Sequence, residues 1–405
     1  MTNNALKRSL NLPLLTLYGL GTILGAGVYV LVGKVAGIAG LYAPIAFLIS
    51  AIVALFTGLS YAALSARYPR SAGEVVYINQ AFSSVTLSTS VGWCVIATGV
   101  VSAATMVNGF IGYLTVFIQI PTLLAVTLIV ASITLIAYWG IMESVTIAAL
   151  ITVLEIVGLL LVIYSLRGEL LTLPHQWQTL LPPVNGDIWL GILLGAFLAF
   201  YAFIGFEDMV NVAEEVVAPQ RTLPIAIIAA LLMASVLYIV IALAAVLTLP
   251  PDVLSQSDSP MVMLIENHNP QLATTLGIIS LIAIINGVLV QVIMGSRILY
   301  GMASQQLISK LFARVSAKTQ TPTIATVAIA LTVWVLALGF PLVTLAKATS
   351  FIIITVFALV NLSLLVIRYR EKHCHGIGRL YKLLLPLTGG LLCLGLLALQ
   401  VVSWV

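Results

Sequence analysis

The chain has 405 residues, of which 61% are hydrophobic and 7% charged, with a formal net charge of +4 at pH 7. About a quarter of the residues of a soluble globular protein are charged, so this composition excludes that class. The small positive balance reports membrane orientation and gives no reason to expect a nucleic-acid partner.

Apolar runs of about 20 residues are the length of a membrane crossing, and eleven can be read along the chain. The first covers Leu14 to Val35, the second Pro44 to Tyr68, the third Val85 to Phe117 and the fourth Leu123 to Trp139. Val145 to Leu166, Ile188 to Glu214 and Pro224 to Leu249 follow as the fifth, sixth and seventh. The last four are Leu272 to Ser304, Pro322 to Phe340, Leu342 to Arg368 and Leu383 to Trp404. With a cytoplasmic N-terminus, fourteen of the seventeen Lys and Arg fall on the inner side, among them Arg67, Arg70, Arg221, Arg297, Arg368 and Arg370. That asymmetry is the orientation signal of a multi-pass protein, and eleven crossings place the C-terminus outside. No cleavable signal peptide is evident, because the first apolar run lacks a small-residue cleavage site. Cys94, Cys374 and Cys393 form no CxxC pair, so neither a disulfide framework nor a zinc site is expected. His373-Cys374-His375 reads as a solvated loop, and no cofactor is expected.

The first run, LTLYGLGTILGAGVYVLVG, carries Gly19, Gly21, Gly25, Gly27 and Gly33. Glycine weakens a helix and lets backbone approach a ligand closely. Gly25-Ala26-Gly27 at mid-span reads either as a break lining a cavity or as a small-residue packing face. The sixth run contains LAFYAFIGFEDMVNVAEEV, in which Gly205 is followed at once by Glu207 and Asp208. A carboxylate inside an apolar helix costs about 2.5–3.5 kcal/mol on insertion scales and faces a bundle interior or a wet path; the alternative is a helix that starts late and leaves the two acids at an interface. Two interrupted segments five helices apart point to a secondary transporter with inverted repeats. The expected division is a first repeat over 14–166, a second over 188–368 and an extra helix over 383–404.

GTILGAGVYVLVG resembles the G-x-x-x-G-[SAT]-G-[IV] first helix of the amino acid–polyamine–organocation superfamily of permeases. Further matches follow in order. They are Tyr61-Ala62-Ala63-Leu64 with Arg67-Tyr68-Pro69 and Gly73-Glu74, then Glu143-Ser144, then Phe203-Ile204-Gly205-Phe206-Glu207. Ala213-Glu214-Glu215 with Pro219, Arg221 and Pro224, and Ser296-Arg297-Ile298-Leu299-Tyr300, complete the series. The pattern is nearest to the cationic-amino-acid-transporter-like bacterial branch. The resemblance implies an all-α integral membrane fold of about 11 helices, with a 5+5 inverted-repeat core of the leucine-transporter type and helices 1 and 6 broken. It implies a plasma-membrane amino-acid permease, not an enzyme, working by alternating access.

A zwitterionic amino acid needs donors for its carboxylate and acceptors for its ammonium, and the two ends of a broken helix offer both. By resemblance, the amides of Gly25, Ala26 and Gly27 take the carboxylate. Carbonyls near Ile23 and from Tyr201 and Ile204, beside Gly205, take the ammonium. Tyr201 and Phe203 are candidates for an aromatic wall or thin gate. Cys94, Thr98 and Ser102 share one face of the third helix and, with Asn286 of the eighth, are candidate pocket lining or plain packing.

Glu155, Glu207 and Asp208 are the coupling candidates, with a proton the expected ion. Glu155 stands where some relatives carry a lysine, so the charge is reversed; a buried carboxyl there can carry a proton, help hold a cation, or simply be hydrogen-bonded. Ala63 replaces the glutamate of Y-A-E-L, and Gln305-Gln306-Leu307-Ile308 replaces a Gly-containing turn. Arg67, Glu214, Glu215 and Arg297, with Arg221, sit at inner helix ends, either as gate pairs or as solvated topology determinants. Amino-acid exchange, sodium coupling and a non-transporting amino-acid sensor remain alternatives. A metal carrier would want Asp, Asn or Met at the first break, and a membrane enzyme a motif such as HExxH; neither is present.

Overall fold

The computed structural model describes residues 8–25, 27–71, 73–139, 145–304, 306, 308–316, 319, 321–371 and 377–404. Its first helices are α1 (Leu12–Leu24), α2 (Gly27–Ala39), α3 (Ala43–Arg67), α4 (Gly73–Phe82) and α5 (Val85–Leu114). α6 (Thr122–Trp139), α7 (Val145–Ser165), the short α8 (Arg167–Leu170) and α9 (Leu173–Gln176), and α10 (Gly186–Ala199) follow. Beyond two 3₁₀ stretches come α11 (Pro219–Thr248), α12 (Pro251–Gln256), α13 (Pro260–Glu266) and α14 (Pro270–Ser304). α15 (Thr323–Gly339), α16 (Leu342–Arg370) and α17 (Ile377–Val402) complete the chain. Among the described residues the β-type pairing is one isolated parallel bridge, between Leu10 and Val216.

Nine helical runs among the described residues are long and apolar enough to cross a membrane, by length and composition. The run Leu12–Arg67 holds both the first and the second predicted segments, and Thr323–Gly339, the ninth, is a shorter apolar helix. Capping sets several starts. Asn11 accepts from the Leu14 amide at 3.1 Å, Ser84 from Leu87 at 3.3 Å, and Asn185 from Asp187 at 2.9 Å. Each satisfies an amide that its own helix leaves unpaired.

Several boundaries and elements differ from the sequence reading. The third segment ends as a helix at Leu114 rather than Phe117. The seventh begins at Pro219, directly after Ala218 in a left-handed conformation with φ +49°. α4, α8, α9, α12 and α13 lie in stretches where no helix was expected. α4 alternates buried Tyr77 and Ile78 with polar Asn79 and Gln80 over ten residues, too short and too polar for an apolar-run reading.

The interior is built on the first run. Every described residue from Tyr18 to Gly33 is buried. A helix apolar on all sides belongs inside a bundle, and α1 packs on α11 and α7 while α2 packs on α10. α5 packs on α14 and α16, and α3 on α11. The outer faces are apolar too: Leu123, Leu150, Leu331, Val335 and Leu391 are each more than half exposed, as expected of a surface that lipid covers.

Candidate functional site

α1 ends at Leu24, where Gly25 (φ 10°, ψ −120°) departs from helical geometry while its amide still reaches Gly21 O at 3.1 Å. α2 starts at Gly27, and Ala26 lies outside the described residues. In the sixth segment α10 stops at Ala199 and tightens into a 3₁₀ turn over Phe200–Phe203. Ile204 is extended, Gly205 turns with φ +124°, and Phe206–Glu215 continues as a 3₁₀ helix where an α-helix was expected.

These two interruptions touch. The Thr22 hydroxyl donates to Gly205 O at 2.8 Å. A Cβ on Gly27 would stand 2.5 Å from Ala202 Cα, so only glycine permits that approach. A Cβ on Gly25 would find Gly287 Cα of α14 at 3.9 Å. The Tyr238 hydroxyl of α11 donates to Ile23 O at 2.7 Å, and the Phe203 ring stands edge-on to Tyr238 at 5.2 Å. The Tyr201 hydroxyl donates to Ser102 O at 3.1 Å and lies 3.1 Å from Ser102 Oγ. Ile23, Tyr201, Phe203 and Ile204 are all buried. Thr98 is buried with its hydroxyl bound to Cys94 O of its own helix.

The first-turn amides of α2 have no intrahelical acceptor, and the last carbonyls of α1 no intrahelical donor. Opposite partial charges therefore meet where the chain passes from one helix to the other. A carbonyl oxygen has two lone pairs, so Ile23 O keeps accepting capacity beside its bond from Tyr238.

Glu155 of α7 adjoins this point. Tyr29 of α2 donates to Glu155 O at 2.8 Å, and one turn earlier on α7 Thr152 presses on Gly21 of α1. The residue is fully buried and neither Glu155 carboxyl oxygen meets a donor at full hydrogen-bond geometry; the Asn286 side chain is the polar group within reach of it.

Glu207 and Asp208 lie on the other side of the sixth interruption. Glu207 Oε2 accepts from the Gly205 amide at 2.8 Å, and Asp208 Oδ2 from Gln291 of α14 at 3.3 Å. The charged residues at the helix ends are more dispersed. Arg67 pairs with Glu371 at the end of α16, a partner the sequence did not suggest. Glu214 accepts from the Ser71 amide at 3.4 Å, and Glu215 O accepts from the amides of Ser9 and Leu10 at 2.9 and 3.0 Å. Arg297 bears on Tyr18 together with Asp208 and Glu215. Glu143, Gln305, Leu307 and His373-Cys374-His375 lie outside the described residues.

Sequence reasoning missed Thr22, Tyr29, Tyr238 and Gly287. Thr22 had a signal, a hydroxyl one turn before the break; the other three are brought in by tertiary packing from distant segments.

The family model described as "Amino acid permease" matches residues 10–405. The chain belongs to the amino acid permease family. It is therefore a transporter-family protein of the amino acid–polyamine–organocation superfamily rather than an enzyme. Among curated proteins, the permease is 28% identical over 389 residues to the branched-chain amino acid permease BcaP of Bacillus subtilis, covering 91% of this chain and 82% of the relative. It is 31% identical over 391 residues to cationic amino acid transporter 2, vacuolar, of Arabidopsis thaliana, covering 90% of this chain and 60% of that one. With cationic amino acid transporter 4 of Homo sapiens it shares 27% identity over 391 residues, covering 91% of this chain and 61% of the other. The permease thus spans less than two thirds of the length of the cationic transporters it matches.

Proposed function

We propose that the protein is a secondary active amino-acid permease that is proton-coupled and binds its substrate where the first and sixth segments are interrupted. The observation that carries this reading is the contact of the two interruptions, Thr22 Oγ1 to Gly205 O at 2.8 Å. It gathers helix-end amides and carbonyls at one buried point. The amides of Gly25, Ala26 and Gly27 take the substrate carboxylate; carbonyls of Ile23, Tyr201 and Ile204 take the ammonium. With every described candidate there buried, substrate enters by movement of the first and sixth segments against a scaffold that includes α5 and α14. Tyr201, latched to Ser102, is the candidate thin gate, and Asn286 and Thr98 line the side-chain end. That the relatives' names speak of branched-chain and cationic amino acids supports an amino acid as the solute.

Glu155 is the favoured proton carrier, since both its oxygens are buried and meet no donor at full hydrogen-bond geometry, and a neutral carboxyl tolerates such a place far better than a charged one. The same reading has the repeats over 14–166 and 188–368, eleven crossings, a cytoplasmic N-terminus and a plasma-membrane location.

Uptake of a radiolabelled amino-acid mixture into proteoliposomes tests it, in sodium-free buffer, with and without an inward proton gradient. Wild type should accumulate label only with the gradient, and Glu155→Gln should lose that accumulation. Gradient-independent uptake would overturn proton coupling in favour of exchange, and absence of uptake for every amino acid would overturn the transport reading.

A further inference from the structure

Three buried carboxyls come from two elements beneath the sixth interruption: Tyr61, the hydroxyl donor to Glu74, stands edge-on to the Phe206 ring at 5.3 Å, and Phe206 immediately precedes Glu207 and Asp208. Glu74 of α4 is 2% exposed, and Glu207 and Asp208 of the 3₁₀ helix are 4% and 6% exposed. Among the described residues none of the three makes an ion pair. Neutral donors stand on them instead: the Tyr61 hydroxyl on Glu74 Oε1 at 3.1 Å, the Gly205 amide on Glu207, and the Gln291 amide on Asp208. Burial in a low dielectric without a counter-ion disfavours the charged form of a carboxyl, so Glu74 favours a bound proton.

A second observation points the same way. The Tyr77 hydroxyl, one turn along α4 from Glu74, is fully buried and has no hydrogen-bond partner. Its ring stands edge-on to Tyr61 at 6.2 Å, the same Tyr61 that donates to Glu74. A tyrosine hydroxyl both donates and accepts, so an unmatched one beside a carboxyl is a ready partner for a proton arriving there.

We propose that Glu74, grouped with Glu207 and Asp208, is a second proton-binding site, on the side where Arg67 and Arg70 lie, and that its proton holds the inner end of the sixth segment closed. Glu74 lies outside the membrane-spanning segments, and burial pushes its carboxyl up to about 7 against the opposing pull of its backbone and Tyr61 hydrogen bonds. The groups facing it are Tyr61 from α3, Tyr77 from its own helix, and Glu207 and Asp208 from the 3₁₀ helix. α16 also packs on α4, but its Arg368 bears on Arg67 and Glu371. Tyr18 of α1 stands near Asp208, and Arg297 of α14 bears on Tyr18. When the proton leaves Glu74 for the solvent on that side, its charge repels two carboxyls. One pins the Gly205 turn and the other pins the 3₁₀ helix to α14, so both hold less firmly.

Only the role of this proton in transport rests on the permease reading; its binding does not. Infrared difference titration of the purified full-length protein reads the carbonyl stretch of a protonated carboxyl without substrate. Wild type should lose protonated-carboxyl intensity with a component centred near pH 7; Glu74→Gln should lose part of that component, and Glu155→Gln should keep all of it. Wild-type intensity retained in full by Glu74→Gln, or no carboxyl titrating in the neutral range, would overturn the proposal. If Glu74→Gln does not fold, Tyr77→Phe serves in its place: its midpoint must shift, and an unchanged midpoint would overturn the proposal equally. In proteoliposomes, wild-type uptake should vary with pH on the Arg67 side. A protein that titrates but transports nothing would sink the permease reading and leave the proton site standing.

Discussion

At Gly205 the backbone has φ +124°, a conformation that costs an L-residue about 1–3 kcal/mol. A Cβ there would also run into the carbonyl of Thr22, which is backbone and yields little. Gly25 differs: its φ is 10°, and an added Cβ would meet Thr22 O at 3.7 Å and Gly287 Cα at 3.9 Å, ordinary contacts. The two glycines should therefore separate folding from binding. Gly205→Ala is expected to lower the thermal unfolding midpoint in detergent, by an amount equivalent to about 2 kcal/mol or more. Gly25→Ala should lower the midpoint less than Gly205→Ala, yet weaken protection by a bound amino acid, because the new methyl stands at the helix end proposed to take the carboxylate. A thermal-shift series with and without amino acid measures both, and equal midpoints for the two variants would refute the distinction.

Among the elements, the stretch before α1 and the end of the 3₁₀ helix form a clip. The amides of Ser9 and Leu10 donate to Glu215 O at 2.9 and 3.0 Å, and the Val217 amide returns to Leu10 O at 2.9 Å, with Leu10 buried. This clip ties the starts of the first and seventh helices to the end of the sixth segment. Leu10→Pro deletes one amide donor and restricts the preceding residue, so the Val217 amide should exchange its hydrogen faster than in wild type, while amides in α5 and α14 stay protected. Unchanged exchange at Val217 would show that the clip is not needed to hold that end. Nothing in the sequence suggested it, for Leu10 and Val216 are 206 residues apart in numbering and no short pattern marks a lone bridge. Apolar run length did bring out the long helices, and the clustering of Gly25 and Gly27, like Gly205 before two acids, marked where helices stop. The character of the second stop was hidden. Phe206–Glu215 has a continuous helical pattern in sequence, and its tightening to 3₁₀ accompanies tertiary bonds of Thr22, Gln291 and the clip. Glu155 stood out as an acid in an apolar run, but that its oxygens meet no donor at full hydrogen-bond geometry depends on packing from α1, α2 and α14.

For the molecule as a whole, the last helix is joined to the core by polar as well as apolar contacts. Asn361 of α16 accepts from Ser60 at 2.6 Å and donates to Thr57 at 3.1 Å, both on α3, and Thr57 Oγ1 lies 3.6 Å from Cys393 Sγ of α17. This network is neutral at working pH, so it contributes little to any pH dependence of stability. Glu74 does contribute. Its folded value of about 7 lies above the value of about 4.3 for a hydrated glutamate, so the folded state binds this proton more tightly than the unfolded chain does. Below about pH 4.3 both states are protonated and the group costs nothing; as pH rises, the unfolded state gains by ionising first, and stability falls until the folded carboxyl ionises as well. The loss accumulates between about pH 4.3 and 7, levels off above, and amounts to a few kcal/mol at about 1.4 kcal/mol per unit. The thermal unfolding midpoint in detergent should accordingly drop across that window. Glu74→Gln, which keeps the shape and cannot ionise, should flatten the drop and be the more stable protein above pH 7. A variant whose midpoint follows the wild-type curve throughout would mean that Glu74 is solvated in the protein.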